Sequence, residues 1–275
     1  MNLTTKKAAE LLGEVRAKKP LVHNITNYVT VNDCANVLLA IGASPVMADD
    51  IGEAADITSI SSALVINIGT LNQRTIEAML SAGKRANELG IPVVFDPVGA
   101  GASPLRNEAA GIILSNVKLS VLRGNISEIA CIAGLNATTK GVDASEGDAA
   151  SNSGTAVALA AAERLGCVVA VTGATDIITD GKGIVAISNG HKMLSGVTGT
   201  GCMTTALVGS FCGAGRDVLA AAAGGVALMG IAGEIAFERA GDMGTGSFRI
   251  AIIDAVSRMD EKLFLERAKI KEIEK

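Results

Sequence analysis

The segment 196–205, with the sequence GVTGTGCMTT, holds the residue types that most directly suggest chemistry. Glycines and threonines run into an apolar stretch typical of a helix, and free backbone amides together with the helix dipole make such a start an anion site. Catalysts of phosphoryl transfer need these donors, because the developing charge spreads over the phosphoryl oxygens. Cys202 would lie in the first turn of this helix. The alternative is a glycine-rich loop that allows close helix packing, with Cys202 as a small apolar residue.

Charged residues end two strand-like runs. Asp96 closes the run PVVF before the turn PVGAG, where its carboxylate could hold a metal or polarise a substrate; capping of local amides is an equal alternative. Arg123 follows a second run and could bind a phosphate with its planar guanidinium. Asn125 or Ser127 would cap the next helix, and Glu128 in its first turn would either point toward the same edge of the sheet or simply favour the helix dipole.

Three further segments carry weaker signals. The run 171–176, VTGATD, puts hydroxyl groups and a glycine at a strand end, although ordinary turns have the same composition. The segment 23–28, HNITNY, could line a small-molecule pocket at the end of an early strand, and Met47 would offer an adaptable apolar contact or fill the core. The phosphate loop G-x-x-x-x-G-K-[ST] is absent, and the dinucleotide motif G-x-G-x-x-G fails at Gly99 because Pro104 takes its last position.

Strand-like and helical segments alternate along the chain, and they must position these residues. Several strand-like runs are continuously apolar, such as ALVINI and CVVAVT, which is typical of strands covered on both faces in a mostly parallel sheet. Ligands bind at the carboxyl ends of strands in such sheets, where the candidates fall. We therefore expect one three-layer α/β/α domain over residues 1–275. The predicted strands are 21–25, 45–48, 63–68, 92–96, 119–122, 168–172, 177–179 and 184–188; the predicted helices are 71–89, 108–116, 127–133, 155–165, 201–211, 218–239 and 248–270, after an amphipathic N-terminal helix, and 138–154 is predicted to be an exposed loop.

Composition excludes several classes of protein. The 275 residues are 49% apolar and 19% charged with a net charge of −4, which excludes a disordered chain and argues against a nucleic-acid partner. Five Phe, one Tyr and no Trp argue against base-stacking platforms. Five cysteines without a C-x-x-C pair suit neither a zinc site nor a disulfide framework and fit a reducing cytoplasm. The N-terminus lacks a signal-peptide core, and the uncharged segment 218–233 is too short for a membrane span, so no membrane partner is expected.

Six strings in this chain resemble the hydroxyethylthiazole kinase family of the ribokinase superfamily: VHNITNYV, ASPVMADD, VVFDPVGAGAS, RGNISEI, VAVTGATD and VTGTGCM. They extend from Val22 to Met203 in the family's order, and the helical tail also fits. Many ribokinase-like enzymes have Asp at the last position of the glycine-rich anion-hole motif, whereas this chain has Cys202, as the thiazole kinases do. The resemblance implies a ribokinase-like fold and ATP-dependent phosphorylation of the hydroxyl of 4-methyl-5-(2-hydroxyethyl)thiazole in thiamine salvage.

The same resemblance implies Mg²⁺ as cofactor, ATP as co-substrate and a homotrimer with sites near the subunit boundaries. It also implies roles for individual residues. The expected site residues are Met47, Asn24 and Gly199 for the thiazole; Arg123 and Thr172 for ATP; Gly199, Thr200, Gly201 and Cys202 for catalysis in the anion hole; and Asp96, Asn125 and Glu128 for magnesium, often through water.

Within this expectation, Cys202 would orient the hydroxyl and act as a weak base, while positioning and charge stabilisation do most of the work. Three alternatives stay open. Another ribokinase-like kinase would act on a hydroxymethylpyrimidine or a sugar. A cysteine hydrolase would pair Cys202 with His23 or His191. A nucleotide-binding protein without catalysis would bind ATP and form no product.

Overall fold

The computed structural model describes residues 2–135 and 146–273, and a single nine-stranded sheet runs through them. The strands are β1 (Leu21–Ile25), β2 (Ser44–Val46), β3 (Ala63–Asn67), β4 (Val93–Asp96), β5 (Val121–Asn125), β6 (Val168–Thr172), β7 (Asp176–Thr179), β8 (Ile184–Ile187) and β9 (Ile270–Ile273). They lie in the order β2-β1-β3-β4-β5-β6-β7-β8-β9. The first six strands are parallel, and β7, β8 and β9 extend the sheet by antiparallel pairs. The predicted mostly parallel sheet is confirmed.

Helices cover both faces of this sheet, with a short 3₁₀ turn, Lys192–Gly196, beyond β8. The helices are α1 (Leu3–Lys18), α2 (Val31–Ile41), α3 (Ala54–Ser59), α4 (Gln73–Leu89), α5 (Pro104–Asn116), α6 (Ile126–Ile132), α7 (Glu146–Leu165), α8 (Thr200–Ala214), α9 (Val218–Ala240), α10 (Thr245–Arg258) and α11 (Glu261–Arg267). Side chains of the central strands alternate between two cores. On β3, Ala63 and Val65 pack into the core under α1, α2 and α8 to α10, whereas Leu64 and Ile66 pack into the core under α4 to α7. The three-layer α/β/α arrangement is therefore confirmed.

Helix α9 is long and apolar, and it lies inside the protein. It has 23 residues and is long and apolar enough to cross a membrane, but 83% of its most apolar window is buried within the fold. It packs so closely on α8 that a Cβ added at Gly225 would lie 2.6 Å from the backbone nitrogen of Val208. Because Gly225 has no side chain, the backbones of α8 and α9 can come into direct contact there.

The predicted C-terminal helix over 248–270 is wrong. Helix α10 ends at Arg258 because Met259 is extended, and Asp260 then caps α11 by accepting a 2.7 Å hydrogen bond from the Leu263 amide. Strand β9 follows and was not predicted, because its sequence IKEI is too short and too charged to read as a strand. It forms the edge of the sheet, where exposed charged side chains discourage pairing with other chains.

The predicted loop over 138–154 is wrong from Glu146 onward, since α7 begins there. Residues 138–145 lie outside the described residues. The small polar residues of this segment suggested a loop, but Gly154 is buried against Ile177 of β7. A Cβ there would be in ordinary contact with Cγ1 of Ile177 at 3.6 Å, so this position packs within a helix and is not part of a turn.

Candidate active site

The carboxyl ends of the parallel strands converge on the start of α8. Asn67, Asp96, Asn125 and Thr172 are the last residues of β3, β4, β5 and β6. Arg123 lies two residues before the end of β5. Adjacent parallel strands end at the same edge of a sheet, so side chains far apart in sequence are brought together there.

Helix α8 begins with backbone amides that no side chain caps. Its first flanking residue, Gly199, has a φ of 88°, a left-handed conformation that favours glycine. A Cβ at this position would lie 2.6 Å from Cγ2 of Thr30, so the turn is packed tightly against the start of α2. The first amides of a helix have no partner within it, and together with the dipole they attract an anion.

Arg123 is held against this first turn. A Cβ at Gly201 would lie 2.8 Å from its Nη1, its side chain is 13% exposed, and its Nη2 donates a 2.7 Å hydrogen bond to Oγ1 of Thr172. Its Nη1 also lies 3.6 Å from Oδ2 of Asp96. The structure thus brings the two residues predicted to bind ATP together with the predicted anion hole.

Asp96 is a buried carboxylate with one satisfied oxygen. Oδ2 accepts hydrogen bonds from Oγ1 of Thr205 at 2.6 Å and from Nδ2 of Asn67 at 3.1 Å. Oδ1 is buried and has no hydrogen-bond partner. Burial raises the pKa of Asp96, and the nearby Arg123 guanidinium opposes this change by favouring the ionised form.

Glu128 and Asn125 form a reciprocal cap at the start of α6. Oδ1 of Asn125 accepts from the Glu128 amide at 2.9 Å, and Oε2 of Glu128 accepts from the Asn125 amide at 2.8 Å. Oε1 of Glu128 also accepts from the amide of Gly99, at 2.8 Å, and so holds the turn after β4. Glu128 therefore lies in the first turn of α6, as its helix-dipole alternative expects, and also caps that helix. Within residues 2–135 and 146–273, no three His, Cys, Asp or Glu side chains form a cluster suited to a metal.

A cavity of about 490 Å³ opens beside Arg123, between the end of β6, the turn after β8 and helices α8 and α9. Asp176 lines this cavity, and the sequence analysis predicted no separate role for it. Burial raises the pKa of Asp176 to about 7, opposed by a 2.9 Å hydrogen bond from the Gly173 amide to Oδ1. The lining residues that were predicted to act in the site are Arg123, Thr172, Thr200 and Gly201.

A second cavity of about 380 Å³ lies near the ends of β1 and β2. Asn24 and Met47 both line it, which places two of the predicted thiazole contacts together. Gly199 does not line this cavity. It packs on Thr30, and the next residue, Val31, forms part of the cavity wall. Oδ1 of Asn24 is buried without a partner, while its Nδ2 donates to the carbonyl of Val22.

The half-buried Cys202 lines neither cavity, and its sulfur faces two side-chain amides. These belong to Asn27 and Asn67, at 3.2 and 3.3 Å. Sequence reasoning missed Asn67, although an Asn that ends the apolar run ALVIN was a signal for a strand-end site residue.

Both histidines are engaged elsewhere. The ring nitrogens of His23 contact Oγ1 of Thr58 at 2.8 Å and the carbonyl of Ala48 at 2.7 Å, and burial lowers the pKa of His23. His191 stacks on Phe237 with ring centroids 3.7 Å apart. A cysteine hydrolase needs an imidazole within hydrogen-bonding reach of the sulfur. These contacts give that alternative no support.

Comparisons with known proteins agree with the resemblance read from the sequence. The model of the hydroxyethylthiazole kinase family matches residues 12–262. A hydroxyethylthiazole kinase of Ruminiclostridium cellulolyticum is 72% identical over 273 residues, which cover 99% of this chain and 100% of that protein. The solved structure of a hydroxyethylthiazole kinase protein from Pyrococcus horikoshii has a TM-score of 0.89 and 41% identity, and the match covers 98% of this chain and 100% of that one.

More distant structures share the fold alone. A ribokinase-like superfamily protein from Enterococcus faecalis has a TM-score of 0.58 at 12% identity, with 94% of this chain and 83% of that one covered. The predicted ribokinase-like architecture is confirmed by these likenesses. Since the family model matches most of the sequence and close relatives align from end to end, the chain belongs to the hydroxyethylthiazole kinase family.

Proposed function

We propose that this kinase transfers the γ-phosphoryl group of ATP to the hydroxyl of 4-methyl-5-(2-hydroxyethyl)thiazole, forming its phosphate ester for thiamine biosynthesis. Membership of the family supports the reaction. The observation that carries it here is the position of Arg123, whose Nη1 would lie 2.8 Å from a Cβ at Gly201. A cation fixed against the open amides of a helix start makes a site for a phosphoryl group.

ATP would occupy the larger cavity, with its phosphates toward α8. Arg123 and Thr172 are already joined by a hydrogen bond, so the guanidinium needs little further ordering to meet phosphate oxygens. The amides of Thr200 and Gly201 would face the transferring group, since both residues line the cavity at the helix start. Because these donors are fixed before substrate binds, they would stabilise the charge of the transition state without reorganising.

Magnesium would lie at the strand ends beside this cavity. Oδ1 of Asp96 is a buried oxygen without a partner, which a cation would satisfy, and the carboxylate of Glu128 is near enough to raise the pKa of Asp96 further. Asn125 uses its oxygen to cap α6, so its contribution would run through water. When bound, Mg²⁺ would neutralise phosphate oxygens. Asp96 and Glu128 are the residues we assign to it.

The thiazole alcohol would occupy the smaller cavity, against Met47 and Asn24, with the turn at Gly199 behind it. Cys202 lies outside that cavity, three residues after Gly199, so the hydroxyethyl arm would have to extend to it. Its sulfur would then accept the hydroxyl proton as the oxygen bonds to the γ-phosphorus. The bond from that phosphorus to the bridging oxygen breaks, ADP leaves with the electron pair, and the thiol later returns its proton to water. Holding the two reactants in line contributes most of the rate, with the base adding a smaller factor.

Three further parts of the proposal concern the assembly, the compartment and the domain organisation of the protein. The homotrimer that the family resemblance implies would cover the apolar side chains of Tyr28 and Val29, which are 79% and 57% exposed beside the smaller cavity. A reducing cytoplasm is supported by five free cysteines, all of which lie in the described residues. The continuous sheet supports one kinase domain over residues 1–275.

The test is to mix the protein with Mg-ATP and the thiazole alcohol and to detect the phosphate ester by mass. Arg123→Ala should lower kcat/KM roughly 10²–10³-fold through loss of transition-state stabilisation, whereas Arg85→Ala on the surface of α4 serves as the matched control. Ester formed from a hydroxymethylpyrimidine or a sugar, and not from the thiazole, would replace this substrate with another alcohol. ATP binding without any ester would refute the kinase assignment.

A further inference from the structure

We propose that Asn27 and Asn67 are positioning residues for Cys202, whose sulfur they hold as a hydrogen-bond acceptor facing the substrate hydroxyl. The inference rests on the proposed kinase function, because the two asparagines can assist catalysis only if Cys202 acts on the substrate hydroxyl. The motif HNITNY contains Asn27, for which the sequence suggested no role, and Asn67 was not singled out at all.

Both side-chain amides converge on the sulfur. Nδ2 of Asn27 lies 3.2 Å from Sγ of Cys202, and Nδ2 of Asn67 lies 3.3 Å from the same atom. The second proton of each amide is also used: Asn27 donates to Oδ1 of Asn67 at 3.1 Å, and Asn67 donates to Oδ2 of Asp96 at 3.1 Å. All four amide protons therefore have acceptors, and two of the four point at one sulfur.

The orientation of each amide is fixed by its oxygen. Oδ1 of Asn27 accepts from the backbone amide of Thr30 at 3.1 Å and from its hydroxyl at 3.0 Å. Oδ1 of Asn67 accepts from the backbone amide of Gly69 at 2.9 Å. A backbone N–H can only donate, so neither side chain can be flipped without placing two donors against each other. The nitrogen atoms must face Cys202.

Burial makes this arrangement rigid. Asn27 is 5% exposed and Asn67 is 2% exposed, and a Cβ at Gly69 would lie 2.8 Å from Cβ of Asn27. A buried amide that lost its acceptor would carry an unsatisfied donor, which is costly. The two asparagines therefore favour a sulfur atom that stays where it can accept both N–H groups.

The consequence concerns the position of the sulfur. A sulfur that accepts two N–H groups from buried side chains is held in one place, from which it can meet the substrate hydroxyl. They also exclude the S–H hydrogen from the space between the sulfur and the amides. The charged and titratable groups around this cluster are Asp96 from β4, Arg123 from β5 and Cys34 from α2.

Asn27→Asp tests the inference with almost no change of shape. Aspartate keeps an oxygen for Thr30 but replaces the donor that faces Cys202 with an acceptor. We expect kcat to fall about 10–100-fold with KM for ATP within about twofold of native, and alkylation of Cys202 by iodoacetamide at neutral pH to slow about fivefold or more. Asn87→Asp is the matched control, because Asn87 also accepts from a backbone amide and donates through Nδ2, both to Lys118 and far from the site.

A double-mutant cycle separates positioning from general stability. If Asn27 acts through the sulfur, Asn27→Asp should have no further effect on kcat in a Cys202→Ala background. An equal fall of kcat in both backgrounds, or native alkylation kinetics in Asn27→Asp, would overturn the proposal. If that variant does not fold, Asn67→Ala takes its place with the same two measurements.

Alkylation, followed at the Cys202 peptide by mass spectrometry, does not require kinase activity. Of the other thiols, Cys34, Cys167 and Cys212 are buried and Cys131 is half-buried, so the Cys202 peptide must be resolved from the rest. A kinase test that fails while alkylation still responds to Asn27→Asp would refute the proposed function and retain the positioning of the sulfur.

Discussion

Replacing Gly201 with alanine should damage the use of ATP while leaving the fold intact. A Cβ at this position would lie 2.8 Å from Nη1 and 3.2 Å from Nη2 of Arg123. Non-bonded atoms of this kind are in favourable contact at about 3.5 Å, so the guanidinium must move by roughly 0.7 Å or the first turn of α8 must tilt. The Arg123 side chain is only 13% exposed and is bonded to Thr172, so the movement has a cost.

The expected magnitude follows from the bonds that the movement disturbs. A hydrogen bond to a charged group contributes about 1.5–3 kcal/mol, and the loss of one between Arg123 and a phosphate corresponds to roughly 10–150-fold in kcat/KM for ATP. The substitution should not destabilise helix α8, because alanine is about 0.8–1 kcal/mol more favourable than glycine within a helix. The prediction is therefore a kinetic defect without a matching loss of thermal stability.

The assay is steady-state ADP release at varied ATP and saturating thiazole alcohol, together with thermal unfolding. Gly111→Ala in α5 is the matched control, because a Cβ there would meet nothing within 4 Å. Native kcat/KM for ATP in a folded Gly201→Ala enzyme would refute the placement of ATP phosphates between Arg123 and the start of α8.

Two other perturbations probe the site. Cys202→Ala should lower kcat roughly 10–10⁴-fold, the range for loss of a general base, and an unchanged kcat in the folded variant would contradict the role of the sulfur. Cys202→Asp should retain or raise kcat, because it supplies a carboxylate as the base. Burial raises the pKa of Asp176 to about 7, so from about pH 4 to 7 the native state holds a proton that the unfolded state has released, and stability falls as pH rises through that window. Asp176→Asn should reduce this slope of Tm against pH, and an identical slope in both proteins would show that the carboxyl does not titrate in this way.

The sequence was sufficient for eight of the nine described strands and, apart from Asn67, for the site residues at their ends. Continuous apolar runs predicted the parallel strands. Because parallel strands place their last residues at one edge of the sheet, the sequence alone could assign Asp96 and Arg123 to a common site. The short strand β9 and the break at Met259 could not be found in the same way. Helical periodicity continues across that break, and only the cap at Asp260 shows where one helix ends and the next begins.

The contacts of Cys202 with Asn27 and Asn67 could not be predicted from the sequence. Asn27 and Asn67 are 175 and 135 residues away along the chain, and their meeting depends on the register of β1 with β3 and on the position of α8 across both. Local patterns carry no information on such register. The motifs could show that polar groups end these strands, but not which atom each amide faces.

The close contact of α9 with α8 has a consequence for the electrostatics of the reaction. At Gly225 the backbones of α8 and α9 are so close that a Cβ would lie 2.6 Å from the nitrogen of Val208, and this contact helps to fix α8 in place. The dipoles at its start are therefore oriented in advance, and no reorientation energy is spent as negative charge builds on the moving group. Part of the expected rate enhancement therefore depends on helix packing at Gly225 and Val208, neither of which lines either cavity.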